Sequence, residues 1–186
     1  MKRFTTSIRT AISENNLLGA LFVSLAMPDI CGGLESPQLE VGTRYKAWFQ
    51  KYLRAKYDPK SHFEYITAVM PQAASIFPAE AIAEMSGPYD KALAFTAEDC
   101  YRCRCKMLHQ GILEKSGQEK FIFITPLPNK AVLHKNLRNG QLVLQIDVFA
   151  EDVCLAVETW EADVCSDKIV QKRMHELLNF TEWYNL

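Results

Sequence analysis

Two arginines and a histidine stand near the end of one segment, Thr96 to Gly111 (TAEDCYRCRCKMLHQG). Four residues separate Arg104 from His109, and six separate Arg102 from His109. A guanidinium holds phosphate through a planar fork of donors, and an imidazole moves protons near neutral pH. Together they are the minimum equipment for cutting an RNA phosphodiester without a metal ion. Lys106, on the same segment, adds a cation for a polyanionic substrate.

The segment has the marks of a helix at both ends. Thr96 is a good N-cap, Glu98 and Asp99 sit in the first turn where carboxylates complement the dipole, and Gly111 suits the position just past the C-terminus. At about 3.6 residues per turn, Arg102 falls almost directly behind His109, while Arg104 is displaced by roughly 140° around the axis. On a continuous helix Arg102 is therefore the better-placed arginine, and Arg104 needs either a long reach or a meeting with the histidine across a protein–protein contact. A structural role competes with the chemical one, because a histidine in a last turn can bond the final carbonyls. Cys100, Cys103 and Cys105 with His109 make a poor zinc set: on a helix they spread around the axis, and no second Cys-x-x-Cys closes the site. Buried free thiols are the better reading, with a thiolate flanked by Arg102 and Arg104 as the alternative. No metal or cofactor is expected.

The rest of the chain supplies the elements that must position this helix. Its 186 residues, 48% apolar and with net charge −1, suit one globular domain over 1–186. The near-neutral total hides a basic stretch from Tyr101 to Gly140 (Arg102, Arg104, Lys106, Lys115, Lys120, Lys130, Lys135 and Arg138 against Glu114 and Glu119), a basic helix at 41–57, and an acidic helix at 147–164. Local field, not net charge, steers a polyanion. Six cysteines read as free thiols rather than a disulfide framework.

The pattern predicts helices over 4–27, stopped by Pro28 and followed by a tight turn at Asp29–Gly33, and over 41–57, with Val41, Tyr45, Trp48, Phe49 and Tyr52 inward. Shorter helices are expected at 62–69 and 78–86. Two more follow at 147–164 and 167–180, the last with Ile169, Val170, Met174, Leu177 and Leu178 inward. Strand-like runs at Lys120–Thr125, Ala131–Lys135 and Gln141–Ile146, with an Asn139-Gly140 turn, predict a small antiparallel β-hairpin insert near 119–146. The fold class is mainly α: an antiparallel helical bundle carrying that insert. The apolar run Leu17–Met27 is too short to span a bilayer and lacks a cleavage site behind it, so it reads as a core helix of a cytoplasmic protein with no membrane partner.

The pattern Arg104-Cys-x-x-Leu-His109-x-Gly111 on a helix resembles the HEPN superfamily, which carries an Arg-x4–6-His motif. Leu25–Glu35 (LAMPDICGGLE) and Arg44–Leu53 (RYKAWFQKYL) are similar to segments of a group of uncharacterised bacterial proteins with the same motif. The resemblance implies a helical domain that forms a homodimer and brings the Arg and His of both protomers into one cleft. It implies an RNA-binding protein, in many members a metal-independent endoribonuclease of a toxin or defence system with an antitoxin-type partner. Other members are non-catalytic interaction modules, and that alternative stays open here. By position the motif residues are Arg104 and His109, with Arg102 admitted by the looser spacing. The residue after the motif arginine, often polar in the superfamily, is Cys105. Gly111 stands where the tyrosine-regulated toxins carry a tyrosine.

Overall fold

The computed structural model describes residues 1–111 and 120–177. The chain is mainly α-helical. Helix α1 (Lys2–Ser13) and the central α2 (Leu17–Glu35) are followed by α3 (Val41–Tyr52) and a single turn, α4 (Arg54–Tyr57). Three short helices come next, α5 (His62–Val69), α6 (Ala73–Ile76) and α7 (Ala79–Met85), then α8 (Ala97–Gln110). Three strands, β1 (Phe121–Ile124), β2 (Asn136–Arg138) and β3 (Gln141–Gln145), precede α9 (Ile146–Asp163) and α10 (Lys168–His175).

Helix α2 departs most from expectation. The break falls before it, where Asn15 takes a left-handed φ of 58° and the Asn16 side chain accepts from Gly19 N–H at 3.0 Å. It then runs through Pro28 and the Asp-Ile-Cys-Gly-Gly stretch without stopping. Burial accounts for this: Leu25, Met27, Pro28, Cys31, Gly32 and Leu34 are all interior, in a helix packed between α1, α3, α8 and α9. Such packing outweighs the hydrogen bond that a proline removes. Gly32 serves close approach rather than a turn, since a Cβ there would lie 2.8 Å from the Arg44 carbonyl oxygen of α3. At 19 residues and a mean hydropathy of 1.7, α2 is long and apolar enough to cross a membrane, unlike the shorter run read from sequence, and half of that stretch is buried inside the molecule.

Other expectations hold with small shifts. The helix at 41–57 divides at Leu53, and Tyr45, Trp48 and Phe49 are buried while Val41, at the first turn, is 37% exposed. Helix α9 buries Phe149, Val153, Ala156, Val157 and Trp160, as its spacing requires. In α10, Val170 is buried and Met174 and Leu177 pack on the core, but Ile169 points outward at 64% exposure because Val170 alone faces inward in that first turn. Leu178, Glu114, Lys115 and Glu119 lie outside the described residues, as do the last positions of the 167–180 prediction.

The sheet is mixed rather than antiparallel, in the order β1-β3-β2. Strand β1 runs parallel to β3, pairing Phe121 with Leu142 and Ile124 with Gln145. β2 forms the hairpin with β3 through Asn139 (φ 51°) and Gly140 (φ 76°), the two positive angles of a tight primed turn. The expected strand at Ala131–Lys135 is instead the crossing that makes β1 and β3 parallel. It bends at Lys135 (φ 53°), whose buried Nζ donates to the carbonyls of Lys56 and Tyr57. Phe95, Phe121, Phe123 and Phe149 interlock edge to face beneath this sheet and fix it to α9.

The basic helix at 41–57 presents no free positive face. Its five cations are all paired: Arg44 with Asp29, Lys46 with Glu98, Lys51 with Asp163, Arg54 with Glu64 and Lys56 with Asp152. Arg9 bridges Glu151 and Glu158 of α9.

Candidate functional site

Helix α8 is fixed at both ends by the residues that the sequence offers for the purpose. Thr96 Oγ1 accepts from Asp99 N–H at 3.1 Å, and Asp99 accepts from Thr96 N–H at 3.0 Å, a reciprocal capping box. Gly111 closes the helix at φ 65°, its N–H donating to Met107 O.

Between these ends α8 has three edges. Cys100, Cys103 and Met107 are buried in the core. Burial pushes the Cys100 thiol up, and Tyr45 Oη lies 3.2 Å from its sulfur, so it behaves as a core residue and not as a nucleophile. Cys103 is buried as well, which removes the arginine-flanked thiolate. Among the described residues, no group of three His, Cys, Asp or Glu side chains is placed to hold a metal ion.

The second edge carries Arg104 toward α2. Its Nη2 donates to Asp29 Oδ2 at 2.6 Å, while Arg44 of α3 donates to Asp29 Oδ1 through Nη2 at 3.1 Å and Nε at 3.3 Å. All three side chains are largely shielded, at 16%, 18% and 20% exposure for Arg104, Asp29 and Arg44. Arg104 Nε is buried without an acceptor. One carboxylate thus ties α2, α3 and α8 together, and it does so through the arginine that the motif singles out.

The third edge carries Arg102 and His109, both exposed, with Cys105 and Lys106 half-buried between them. Neither Arg102 nor His109 makes a hydrogen bond or ion pair among the described residues, so His109 does not cap its own helix. Arg102 and His109 therefore share an edge, as helical spacing requires, and Arg104 and His109 of one protomer do not. Beside His109, Leu108 reaches an open groove of about 650 Å³ lined by Phe4, Phe22, Val23, Ala26 and Ile30.

Asp29 and Arg44 are the site residues that sequence reasoning missed. Their signal lies in the two segments singled out by resemblance, but Asp29 falls in the stretch expected to turn and Arg44 is one cation among several of the basic helix at 41–57.

A second polar cluster lies where the crossing before β2 meets α4. Burial brings Lys135 down to about 7, opposed by Asp58 and Asp152, with the faces of Tyr65 and Tyr89 within 5 Å of its Nζ. Burial likewise brings His134 down to about 4, and its Nδ1 accepts from Gln145 N–H at 3.0 Å. Both groups are held in place by structural bonds.

Comparison of the chain with protein-family models, curated proteins and solved structures yields no match.

Proposed function

We propose that this protein is a HEPN-like RNA-binding protein, acting as a homodimer and cleaving RNA without a metal ion. The observation that carries the reading is the edge at the C-terminal half of a helix capped at both ends, where Arg102 and His109 are exposed and neither is bonded among the described residues. His109 takes the proton from a ribose 2′-hydroxyl as its oxygen attacks the adjacent phosphorus, and an imidazolium returns a proton to the departing 5′-oxygen. With one His109 from each protomer, one imidazole serves as base and the other as acid. Arg102 neutralises the charge that builds on the phosphorane, and Lys106 adds to the local positive field. Arg104, held by Asp29, sets the position of α8 against α2 rather than meeting the same phosphate.

The apolar groove beside Leu108 supports the dimer. A patch of this kind, continued one turn along α2 by Leu18 at 62% exposure, is unusual on a monomer, and a second copy laid across it brings two α8 C-termini together. In this reading the protein is cytoplasmic, has no membrane partner, and works in a toxin or defence system with an antitoxin-type protein that masks the edge.

One observation favours a second reading, a non-catalytic dimerisation module: the motif arginine is engaged by Asp29 and not directed at a cleft with His109. RNA incubated with the protein in excess EDTA separates the two. Products with cyclic phosphate ends, lost in His109→Ala, support the nuclease. Salt-dependent binding without turnover supports an RNA-binding module, and no binding at any salt leaves only the interaction role.

A further inference from the structure

Among the described residues, the pairing of Arg44 and Arg104 on Asp29 leaves one positive charge without a counter-charge. Two guanidiniums share one carboxylate in a place where all three side chains are at most one-fifth exposed. A shielded cation without a full counter-charge is costly, so a site of this composition is completed by an anion. Asp29 takes the Nε and Nη2 donors of Arg44, which leaves its Nη1 edge for another acceptor, and Arg104 Nε is buried with none at all.

A cavity of about 370 Å³ opens at this point, lined by Asp29, Ile30, Gly33, Leu34, Arg44 and Leu177. Its size falls in the range of small-molecule sites. Asp29, already shared, is the one carboxylate in that lining. Two further arginines bond to backbone carbonyls of its lining residues: Arg3 donates to Leu177 O at 3.1 Å, and Arg173 to Leu34 O at 2.7 Å. Gly33 keeps the space open, since a Cβ there would stand 3.5 Å from Arg44 Cζ, in contact with the guanidinium face. The adjoining cavity, which Arg44 also lines, carries one acid, Glu35, and one further cation, Lys51.

From this arrangement we infer that the Asp29–Arg44 cavity is a binding site for a phosphoryl group. Arg44 is its principal donor, Asp29 holds the Arg44 fork in place, and Arg104, bonded to the other oxygen of Asp29 outside the lining, leaves the trio with a net positive charge. An arginine fork matches a tetrahedral oxyanion in geometry as well as charge. The site lies on the α2-facing edge of α8, away from the Arg102–His109 edge, and does not depend on the cleavage reading. The phosphoryl group comes either from RNA or from free phosphate.

The test is thermal unfolding of the full chain with increasing inorganic phosphate, against chloride at matched ionic strength. The expected result is saturable stabilisation by phosphate beyond chloride, at least tenfold weaker in apparent affinity for Arg44→Lys, which keeps the charge and loses the fork, and unchanged in His109→Ala. If Arg44→Lys does not fold, Gly33→Leu, which fills the cavity and keeps both arginines, is expected to abolish the response. Equal stabilisation by phosphate and chloride in the wild-type protein overturns the site, as does a phosphate response undiminished in the variants. Either failure leaves the His109 reaction standing, because that reaction is read by cleavage. Competition by phosphate against an RNA oligonucleotide that carries a 5′-phosphate, but not against its 5′-hydroxyl counterpart, assigns the site to a terminal phosphate. Competition against both assigns it to the RNA backbone, and competition against neither assigns it to free phosphate.

Discussion

Asp29 is the residue on which two arginines converge, and Arg102 is an exposed arginine with no partner among the described residues. The two arginines of α8 therefore respond differently to truncation. Arg104→Ala removes one partner of a shielded charge-assisted bond, and because Arg44 stays on Asp29 the loss is moderate, about 1–3 kcal/mol by urea unfolding. Arg102→Ala changes stability by less than about 0.5 kcal/mol, as exposed positions do. It should instead weaken RNA binding and lower the salt slope of log K by about one unit. Histidine 134 gives a pH signature of its own. Its folded pKa of about 4 lies below the ordinary value near 6.5, so the stability it confers is present above pH 6.5 and is lost as pH falls toward 4. Over that window the loss amounts to at most about 3 kcal/mol. His134→Asn, which keeps an acceptor for Gln145 N–H and cannot titrate, should flatten that part of the stability profile.

At the scale of elements, the glycine pair in α2 separates two effects that the sequence makes look alike. Gly32→Ala places a methyl group 2.8 Å from a backbone oxygen of α3, and it should cost about 1–3 kcal/mol by forcing the helices apart. Gly33→Ala meets only ordinary contacts in a helical position, so thermal unfolding should find it neutral or up to about 1 kcal/mol more stable. These glycines also mark how far the elements were legible. Helix α8 was readable from Thr96 and Gly111, and α9 from its spacing, because caps and a single apolar stripe are local signals. Helix α2 was not: Pro28 and two glycines are local signals for a break, and what overrides them is contact with five other helices, α1, α3, α8, α9 and α10. The same distance hid the site. Asp29 and Arg104 are 75 residues apart, and no spacing rule within either segment connects them. The hairpin turn at Asn139-Gly140 was legible, but the parallel pairing of β1 with β3 was not, because it depends on how Lys135 anchors the crossing on α4.

At the scale of the whole molecule, charge and apolar surface divide the labour. Lys46, Lys51 and Lys56 of α3 and α4 and most acids of α9 hold helices together, while the outer edge of α8 carries the exposed Arg102 and His109. The groove beside Leu108 is the corresponding apolar surface. If a second copy covers it, light scattering finds a dimer for the wild-type chain. Phe22→Glu, which places a charge in the groove, should then give a folded monomer that has lost RNA cleavage along with its partner. A dimer that survives this substitution places the interface elsewhere.

The central claim is that His109 carries a proton in RNA cleavage, and single-turnover cleavage of a labelled RNA in excess EDTA tests it most directly. Cyclic phosphate products are expected from the wild-type protein, with a rate in His109→Ala at least about a hundredfold lower while RNA affinity is retained. Cleavage by His109→Ala at the wild-type rate, or none by wild-type protein that binds RNA, would contradict it.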